Sequence, residues 1–194
     1  ITSAGSTVGI ICGYCGGVVD NILMRIADIF LAFPGIVFAI AVASVLSGGI
    51  TSAVIAVAAV SWPKYARLAR SEVLSVCASD YIKAARMSGM SEFGIIIKHI
   101  IPNIAGIIVT TALLDIGHMM MEIAGLSFLG LGAAPPAAEW GAMMSNGRSM
   151  LQTAPWIILA PGVAIFVSVL IFNMFGESVK TRWNKNNRRT GYAG

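Results

Sequence analysis

The chain alternates between long uncharged stretches and shorter segments that carry its charges. The longest uncharged stretch lies between Asp28 and Lys64. It has room for two helices, because a helix needs about 20 apolar residues to cross a bilayer. The sequence Ser47-Gly48-Gly49 lies in its middle and is typical of a turn. The pattern predicts five membrane-spanning helices, over residues 1–19, 29–46, 50–62, 99–114 and 149–176.

The composition supports a protein whose main solvent is lipid. Of the 194 residues, 57% are hydrophobic and 11% are charged, and the mean hydropathy is +0.82. A water-soluble domain of this size could not bury so much apolar surface, and a disordered chain is poor in apolar residues. The 3 cysteines are too few for a disulfide scaffold. We therefore expect an all-α integral membrane protein.

The positive charges indicate which side each segment faces. Twelve of the thirteen Lys and Arg residues fall in three segments that share one side if the five helices alternate. These are the turn around Arg25, the loop 63–98 and the tail 177–194, whereas Arg148 lies in the segment 125–155. Because positively charged segments stay in the cytoplasm, we expect the loop and the C-terminus there and 125–155 outside. The net charge of +4 then reflects topology, and we expect no nucleic-acid partner.

The loop 63–98 is too long to be a simple connection. Its sequence predicts a short helix that Ser79 or Asp80 caps, a break at Gly89, and a second helix from Ser91 back to the membrane. Small side chains on the first helix would let a partner approach closely. The alternative is a helix that lies on the lipid headgroups.

Motifs along nearly the whole chain resemble one family. Lys83-Ala84-Ala85, Gly89 four residues later, and then Ile101-Pro102 resemble the EAA signature of binding-protein-dependent ABC importer permeases. The chain departs from that signature at Lys83, His99 and Ile101, where the family has Glu, Ile and Leu. Further segments are similar to the peptide/nickel branch, closest to its nickel-import permeases; they include Gly13–Asn21, Trp62–Arg67, Gly125–Gly132 and Glu139–Gly141.

The resemblance implies a single permease domain over 1–194 with the MetI-like helical bundle, in the bacterial inner membrane. It implies a second homologous permease subunit, two ABC ATPase subunits that hold ATP and Mg, an extracytoplasmic solute-binding protein, and surrounding lipid. Members of the family have one further span before the position of Ile1. The residues implied to couple the chain to the ATPases are Asp80, Lys83, Ala84, Ala85, Arg86, Gly89 and Pro102. The chain has no GxxxxGK[ST] phosphate loop, so we expect neither an enzyme nor a bound cofactor.

A polar stripe interrupts the fourth predicted span and is the candidate substrate path. Asp115, His118 and Glu122 share one helix face, and such groups in a membrane usually face protein or water. Together with neighbouring methionines they could guide a transition-metal ion, with His118 as the metal-ligand candidate. Alternatively, they form an internal hydrogen-bonded group. A similar run occurs in nickel-import permeases, which favours nickel or a chelated metal as substrate; a di- or oligopeptide is the alternative.

Two alternative hypotheses assign the chain to other classes of protein. Cys12 and Cys15 form a CxxC pair, as in an intramembrane thiol redox protein, although the surrounding apolar stretch lacks a thioredoxin-like context. An ion-gradient transporter is the second.

The glycines at positions 5, 9, 13 and 17 lie on one helix face and predict close packing against a neighbouring helix.

Overall fold

The computed structural model describes the backbone of residues 1–134 and 136–189 and the side chains of 1–134 and 136–183. All regular structure in these residues is helical, which confirms the all-α class. The helices are α1 (Thr2–Cys15), α2 (Gly17–Ala32), α3 (Gly35–Val45), α4 (Ile50–Ala78), α5 (Asp80–Met87), α6 (Glu92–Ile95), α7 (Ile101–Phe128), α8 (Trp140–Asn146) and α9 (Trp156–Arg189). A π-helical turn, Ile96–Ile100, joins α6 to α7, and a 3-10 turn, Arg148–Met150, follows α8.

Two of the described helices are long and apolar enough to cross a membrane, Glu92–Phe128 and Trp156–Trp183, or three spans if α2 and α3 are counted as one. These criteria find fewer spans than the five predicted, because α1 has 14 residues and the second half of α4 is charged. The predicted spans 99–114 and 149–176 lie in long helices, but α9 begins at Trp156 rather than at 149.

The predicted continuous helix over 29–46 is wrong, because the chain breaks at Phe33 and Pro34. Proline disfavours the helical conformation in the residue before it, and its missing N–H costs nothing at the start of a helix. Pro34 accordingly occupies the N-cap position of α3. The helix predicted over 50–62 lies in the first half of α4, which continues to Ala78.

The described chain divides into two compact units. The first comprises Ile1–Ala32 and Ser61–Thr111, and its core consists of aliphatic side chains from α4 to α7: Ala69, Val73, Ile82, Ile95, Ile100, Ile104 and Ile108. In this unit α1 packs closely on α4 through its glycines. A Cβ atom on Gly5 would lie 2.6 Å from the Trp62 carbonyl oxygen, and one on Gly13 would lie 2.9 Å from that of Arg70. The predicted glycine packing is confirmed at positions 5, 9 and 13.

Gly17 is the exception to that pattern. It begins α2 at φ +61°, next to Gly16 at φ +61°, and a Cβ atom on it would meet no neighbour. The fourth glycine therefore turns the chain between α1 and α2 instead of packing against α4, and the prediction for this position is wrong.

The second unit comprises Phe33–Val60 and Ala112–Gly194. Its core joins small residues of α3 and α4 to Leu126 of α7: Ala39, Ala43, Ala53, Ala56 and Val57. The segment 125–155 contains α8 and the 3-10 turn after it. The tail predicted at 177–194 starts as a continuation of α9. Residues 190–194 and the side chains of Lys185, Arg188 and Arg189 lie outside the described residues.

Candidate functional site

The short helix predicted in the loop 63–98 is α5, and its start follows from local sequence. Ser79 occupies the N-cap position with an extended backbone, but its hydroxyl donates to the Val76 carbonyl instead of accepting from α5. The expected side-chain cap is therefore absent at Ser79. Asp80 lies in the first turn and Arg86 in the last, and both charges are favourable to the helix dipole.

Gly89 ends α5 as predicted. Its φ is +81°, a region that residues with a Cβ atom rarely adopt. The Gly89 N–H donates to the Arg86 carbonyl at 3.0 Å and the Met90 N–H to the Ala85 carbonyl at 3.3 Å. This pair of bonds is the Schellman arrangement that closes a helix C-terminus. The chain then restarts at Ser91, whose hydroxyl accepts from the Gly94 N–H, so the two helices are joined by a defined turn.

One buried side chain attaches α5 to the rest of the first unit. Ile82 is fully buried and packs in the cluster that α4, α6 and α7 build. Tyr81 adds a polar contact, because the Asn103 side-chain amide donates to its hydroxyl at 2.8 Å. The His99 ring lies 6.0 Å from the Tyr81 ring. His99, which replaces the isoleucine of the family signature, therefore lies beside the start of α5.

Arg86 ties the end of α5 to two other helices. Its guanidinium lies 3.4 Å from the Glu92 carboxylate at the start of α6 and 5.8 Å from the centre of the Tyr14 ring in α1. The Tyr14 hydroxyl also donates to the Glu92 carboxylate. Sequence reasoning singled out Arg86 but missed Tyr14 and Glu92, because the contact joins residues 78 positions apart.

The outer face of α5 is open. Asp80, Lys83, Ala84 and Met87 are exposed, and Met87 is 89% exposed although it is apolar. Lys83, which replaces the glutamate of the family signature, donates to Asp80 at 2.8 Å within α5. This hydrogen bond lowers the pKa of the Asp80 carboxyl, which is therefore ionised at neutral pH. Lys83 therefore forms a charge pair with Asp80 on the helix surface.

Pro102 lies at the start of α7, directly after the π-helical turn. A proline ring in an α-helix clashes with the carbonyl four residues before it and lacks an N–H to bond it. The Ile101 N–H reaches back five residues to the Ile96 carbonyl, which widens the helix at this point. Pro102 is exposed. Its effect in the structure is on the shape of the helical segment that carries Ile100 and Ile104.

Two ion pairs hold α2 against α4 in the first unit. The Arg70 guanidinium donates to both oxygens of Asp20, at 2.5 Å and 2.6 Å, in the bidentate geometry that is strongest for such pairs. Arg67 pairs with Asp28. These pairs could not be predicted from the sequence, beyond the presence of the charges, because about 40 to 50 residues separate the partners.

The structure brings together two of the three residues of the candidate substrate path. The His118 imidazole Nε2 lies 3.3 Å from Glu122 Oε1. His118 is largely exposed, whereas Glu122 is mostly buried, and its Oε2 has no hydrogen-bond partner. Asp115 is buried. Within the residues that the structure describes, no three His, Cys, Asp or Glu side chains form a group that could hold a metal ion. A three-ligand metal site at Asp115, His118 and Glu122 is therefore absent.

The two cysteines of the CxxC pair have different surroundings. Cys12 is buried, Cys15 is exposed, and neither forms a disulfide. Cys12 belongs to the face of α1 that packs on α4. Only Cys12 of the pair therefore takes part in the packing of α1.

The chain belongs to the family of binding-protein-dependent transport system inner membrane components, which it matches over residues 5–185. This result confirms the resemblance found in the sequence. The fold agrees with it: the chain is similar to the MetNI methionine ABC transporter in an inward facing conformation, with a TM-score of 0.68 at 18% identity, over 93% of this chain and 90% of that one.

Curated relatives place the chain in the peptide/nickel branch. It is 44% identical to the dipeptide transport system permease protein DppC of Alkalihalophilus pseudofirmus and 43% identical to the glutathione transport system permease protein GsiD of Pectobacterium atrosepticum, each over 91% of this chain and 58% of the relative. It is 38% identical to the nickel transport system permease protein NikC of Escherichia coli, over 93% of this chain and 65% of the relative. The chain therefore spans about 60% of the length of these relatives. All three are transport permeases, which supports the prediction that the chain is a transport component and not an enzyme.

Proposed function

We propose that this chain is a permease subunit of a binding-protein-dependent ABC importer and that α5 is its coupling helix. The observation that carries the proposal is the attachment of α5. Its outer face is exposed, its C-terminus is closed by Gly89, and its inner face is fixed by Ile82 in a core shared with α4, α6 and α7. A force on α5 would therefore move these helices instead of being absorbed by a flexible loop.

The partners follow from the same proposal. One of two ATPase subunits, which hold ATP and Mg, would bind α5 in a cleft on the cytoplasmic side, and closure of the two ATPases would shift the permease between two states. A second homologous permease would complete the path, and an extracytoplasmic binding protein would deliver the solute. Met87 and Ala84 offer an apolar and a small surface to the ATPase, which suits close contact with a cleft.

A cross-linking experiment tests the role of α5. A cysteine is introduced by Ala84→Cys in a background where Cys12, Cys15 and Cys77 are replaced by alanine, and the assembled importer is treated with a thiol cross-linker. We expect a product that contains this chain and an ATPase subunit. The control is Gln152→Cys, an exposed position before α9, which should give none. If the thiol of Ala84→Cys is not cross-linked in the complete assembly, the proposal is contradicted.

Uptake measurements test the two alternative functions. ATP-driven uptake by the cysteine-free background would contradict the thiol redox alternative, and uptake without any ATPase would favour the ion-gradient transporter.

For the substrate we propose nickel or a chelated metal, with a di- or oligopeptide as the alternative. His118 supports the metal, because its imidazole is largely exposed and is paired with a buried carboxylate. The peptide is supported by the relatives named for dipeptide and glutathione transport and by the lack of a three-ligand group in the described residues.

Uptake of radioactive nickel and of a labelled dipeptide by one reconstituted importer separates the two substrates. If the metal proposal holds, nickel uptake exceeds dipeptide uptake, and His118→Ala lowers it at least tenfold. Val109→Ala, another truncation of an exposed side chain in α7, should leave it unchanged. Nickel uptake that is unaffected by His118→Ala would contradict the metal path, and dipeptide uptake alone would establish the alternative.

A further inference from the structure

An open polar pocket lies between α2 and α4 in the first unit, away from α5. Its cavity volume is about 500 Å³, and its charged lining consists of three arginines and two aspartates: Asp20, Arg25, Asp28, Arg67 and Arg70. The permease function proposed above uses none of these side chains.

The charges in this pocket do not cancel. Arg70 is neutralised by Asp20 in a bidentate pair, and Arg67 is neutralised by Asp28. Arg25 has no carboxylate partner among the residues that the structure describes. Three arginines and two aspartates leave one positive charge, and that charge belongs to an exposed side chain at the mouth of the pocket. An anionic group would therefore complete the pocket.

Exposed aliphatic side chains of α2 lie beside Arg25, outside the lining of the pocket. Ile22 lies nearly one helical turn before Arg25 and Ile29 one turn after it, and their exposed fractions are 55% and 62%. Val18 continues the same face of α2 and is 72% exposed. A ligand that covers this surface needs a negative head for Arg25 and a hydrocarbon portion for the aliphatic side chains. A free inorganic anion supplies only the first of these.

We propose that the pocket binds the headgroup of an anionic phospholipid, with the lipid chains along the exposed face of α2. A guanidinium donates to phosphate in the same forked geometry that it uses for carboxylate, and basic pockets between membrane helices bind acidic headgroups. A zwitterionic lipid gains less from Arg25, because its own cation opposes the interaction. The lining of this proposed lipid site contains no residue of the coupling helix or of the candidate substrate path.

Lipid retention by the purified full chain tests the proposal. The chain is equilibrated with equal amounts of phosphatidylglycerol and phosphatidylcholine in detergent, and the lipids that remain bound are counted by native mass spectrometry. We expect a preference for phosphatidylglycerol that Arg25→Gln lowers about fivefold, the effect of one cation near a membrane surface. Asp28→Asn, which releases Arg67, should raise the preference by a similar factor. The control is Arg182→Gln, at an exposed position in α9. It removes the same charge as Arg25→Gln and should leave the preference for phosphatidylglycerol unchanged.

Three results would overturn the proposal. An equal loss of phosphatidylglycerol in Arg182→Gln would mean that net charge alone is responsible. Equal retention of phosphatidylcholine would remove the role of the headgroup charge. Complete displacement of the lipid by inorganic phosphate at millimolar concentration would assign the pocket to the free anion. Because Arg25 and Arg182 are both exposed, their variants are expected to fold, and circular dichroism of each variant checks this.

Discussion

Gly89 has the backbone conformation that ends α5, the proposed coupling helix. Its backbone has φ +81° and a Cβ atom on it would meet nothing within 4 Å. A substitution is therefore opposed by backbone strain and not by a lack of space. The left-handed conformation costs about 1–2 kcal/mol for an ordinary residue, more when the side chain is β-branched, and less for asparagine.

These properties predict an ordered series of variants at position 89. Gly89→Val should lower ATP-driven uptake at least tenfold while the chain still inserts in the membrane, because the end of α5 shifts when φ becomes negative. Gly89→Asn should keep most of the uptake. The measurement is uptake by reconstituted importer together with the amount of chain in the membrane.

The control for this series is Gly49→Val. Gly49 also has a positive φ, +94°, and open space around it, but it lies in the turn before α4. Gly49→Val should strain the backbone in the same way but leave ATP-driven uptake unchanged. Uptake that is equally low in Gly89→Asn and Gly89→Val would contradict the role of the backbone conformation, since the two variants differ mainly in tolerance of positive φ.

At the residue scale, the sequence predicts features whose causes are local. The break at Gly89 and the restart at Ser91 depend on residues within one helical turn, so their outcomes could be foreseen. The contact of Arg86 with Tyr14 and Glu92 could not, because it requires α1 and α6 to meet. Ser79 shows a second limit of prediction from local sequence. Its hydroxyl could either accept a hydrogen bond from an N–H of α5 or donate one to a nearby carbonyl, and in the structure it donates to the Val76 carbonyl.

At the scale of elements, the packing of α1 on α4 is the contact most sensitive to side-chain size. Gly9 lies against the Ala66 backbone and the Ala69 side chain. Gly9→Val should destabilise the first unit by about 1–3 kcal/mol, because overpacked side chains force the backbones apart. The midpoint of thermal unfolding in detergent should fall.

Ala4→Val provides the matched comparison for Gly9→Val. Ala4 is exposed on the same helix, so the variant introduces the same side chain without a steric conflict. Helix propensity falls in Ala4→Val and rises slightly in Gly9→Val, so a larger fall of the midpoint in Gly9→Val reports the steric conflict. Equal midpoints for the two variants would contradict the close approach of α1 and α4.

Helix boundaries show where the pattern of apolar residues is insufficient. The uncharged stretch after Asp28 predicts helical structure correctly, but it does not reveal the break at Phe33, since both sides of the break are apolar. Pro34 was the available signal. The π-helical turn before Pro102 had no signal in hydrophobicity, because the wider turn leaves the apolar pattern unchanged.

At the scale of the whole molecule, the pattern of apolar residues and the pattern of charges predict different properties, the fold and the orientation in the membrane. The helical fold is specified by apolar patterning and is shared with a transporter of 18% sequence identity. The distribution of lysine and arginine is what predicts the orientation, because membrane insertion responds to cations in short segments near helix ends. Relatives named for dipeptide, glutathione and nickel transport are 44%, 43% and 38% identical to this chain, so overall sequence identity does not distinguish between these substrates.

The orientation predicts opposite accessibility of two exposed methionines, Met87 at the end of α5 and Met150 in the 3-10 turn after α8. Single cysteines introduced by Met87→Cys and Met150→Cys, in the cysteine-free background, are treated with a membrane-impermeant thiol reagent in intact cells and in inverted vesicles. The first should react only in inverted vesicles, because twelve of the thirteen cations lie in segments that share its side if the predicted helices alternate. The second should react from outside. Labelling of Met87→Cys from outside would leave α5 out of reach of a cytoplasmic ATPase and would exclude it as the coupling helix. Labelling of both from one side would instead show that the predicted helices do not alternate between them.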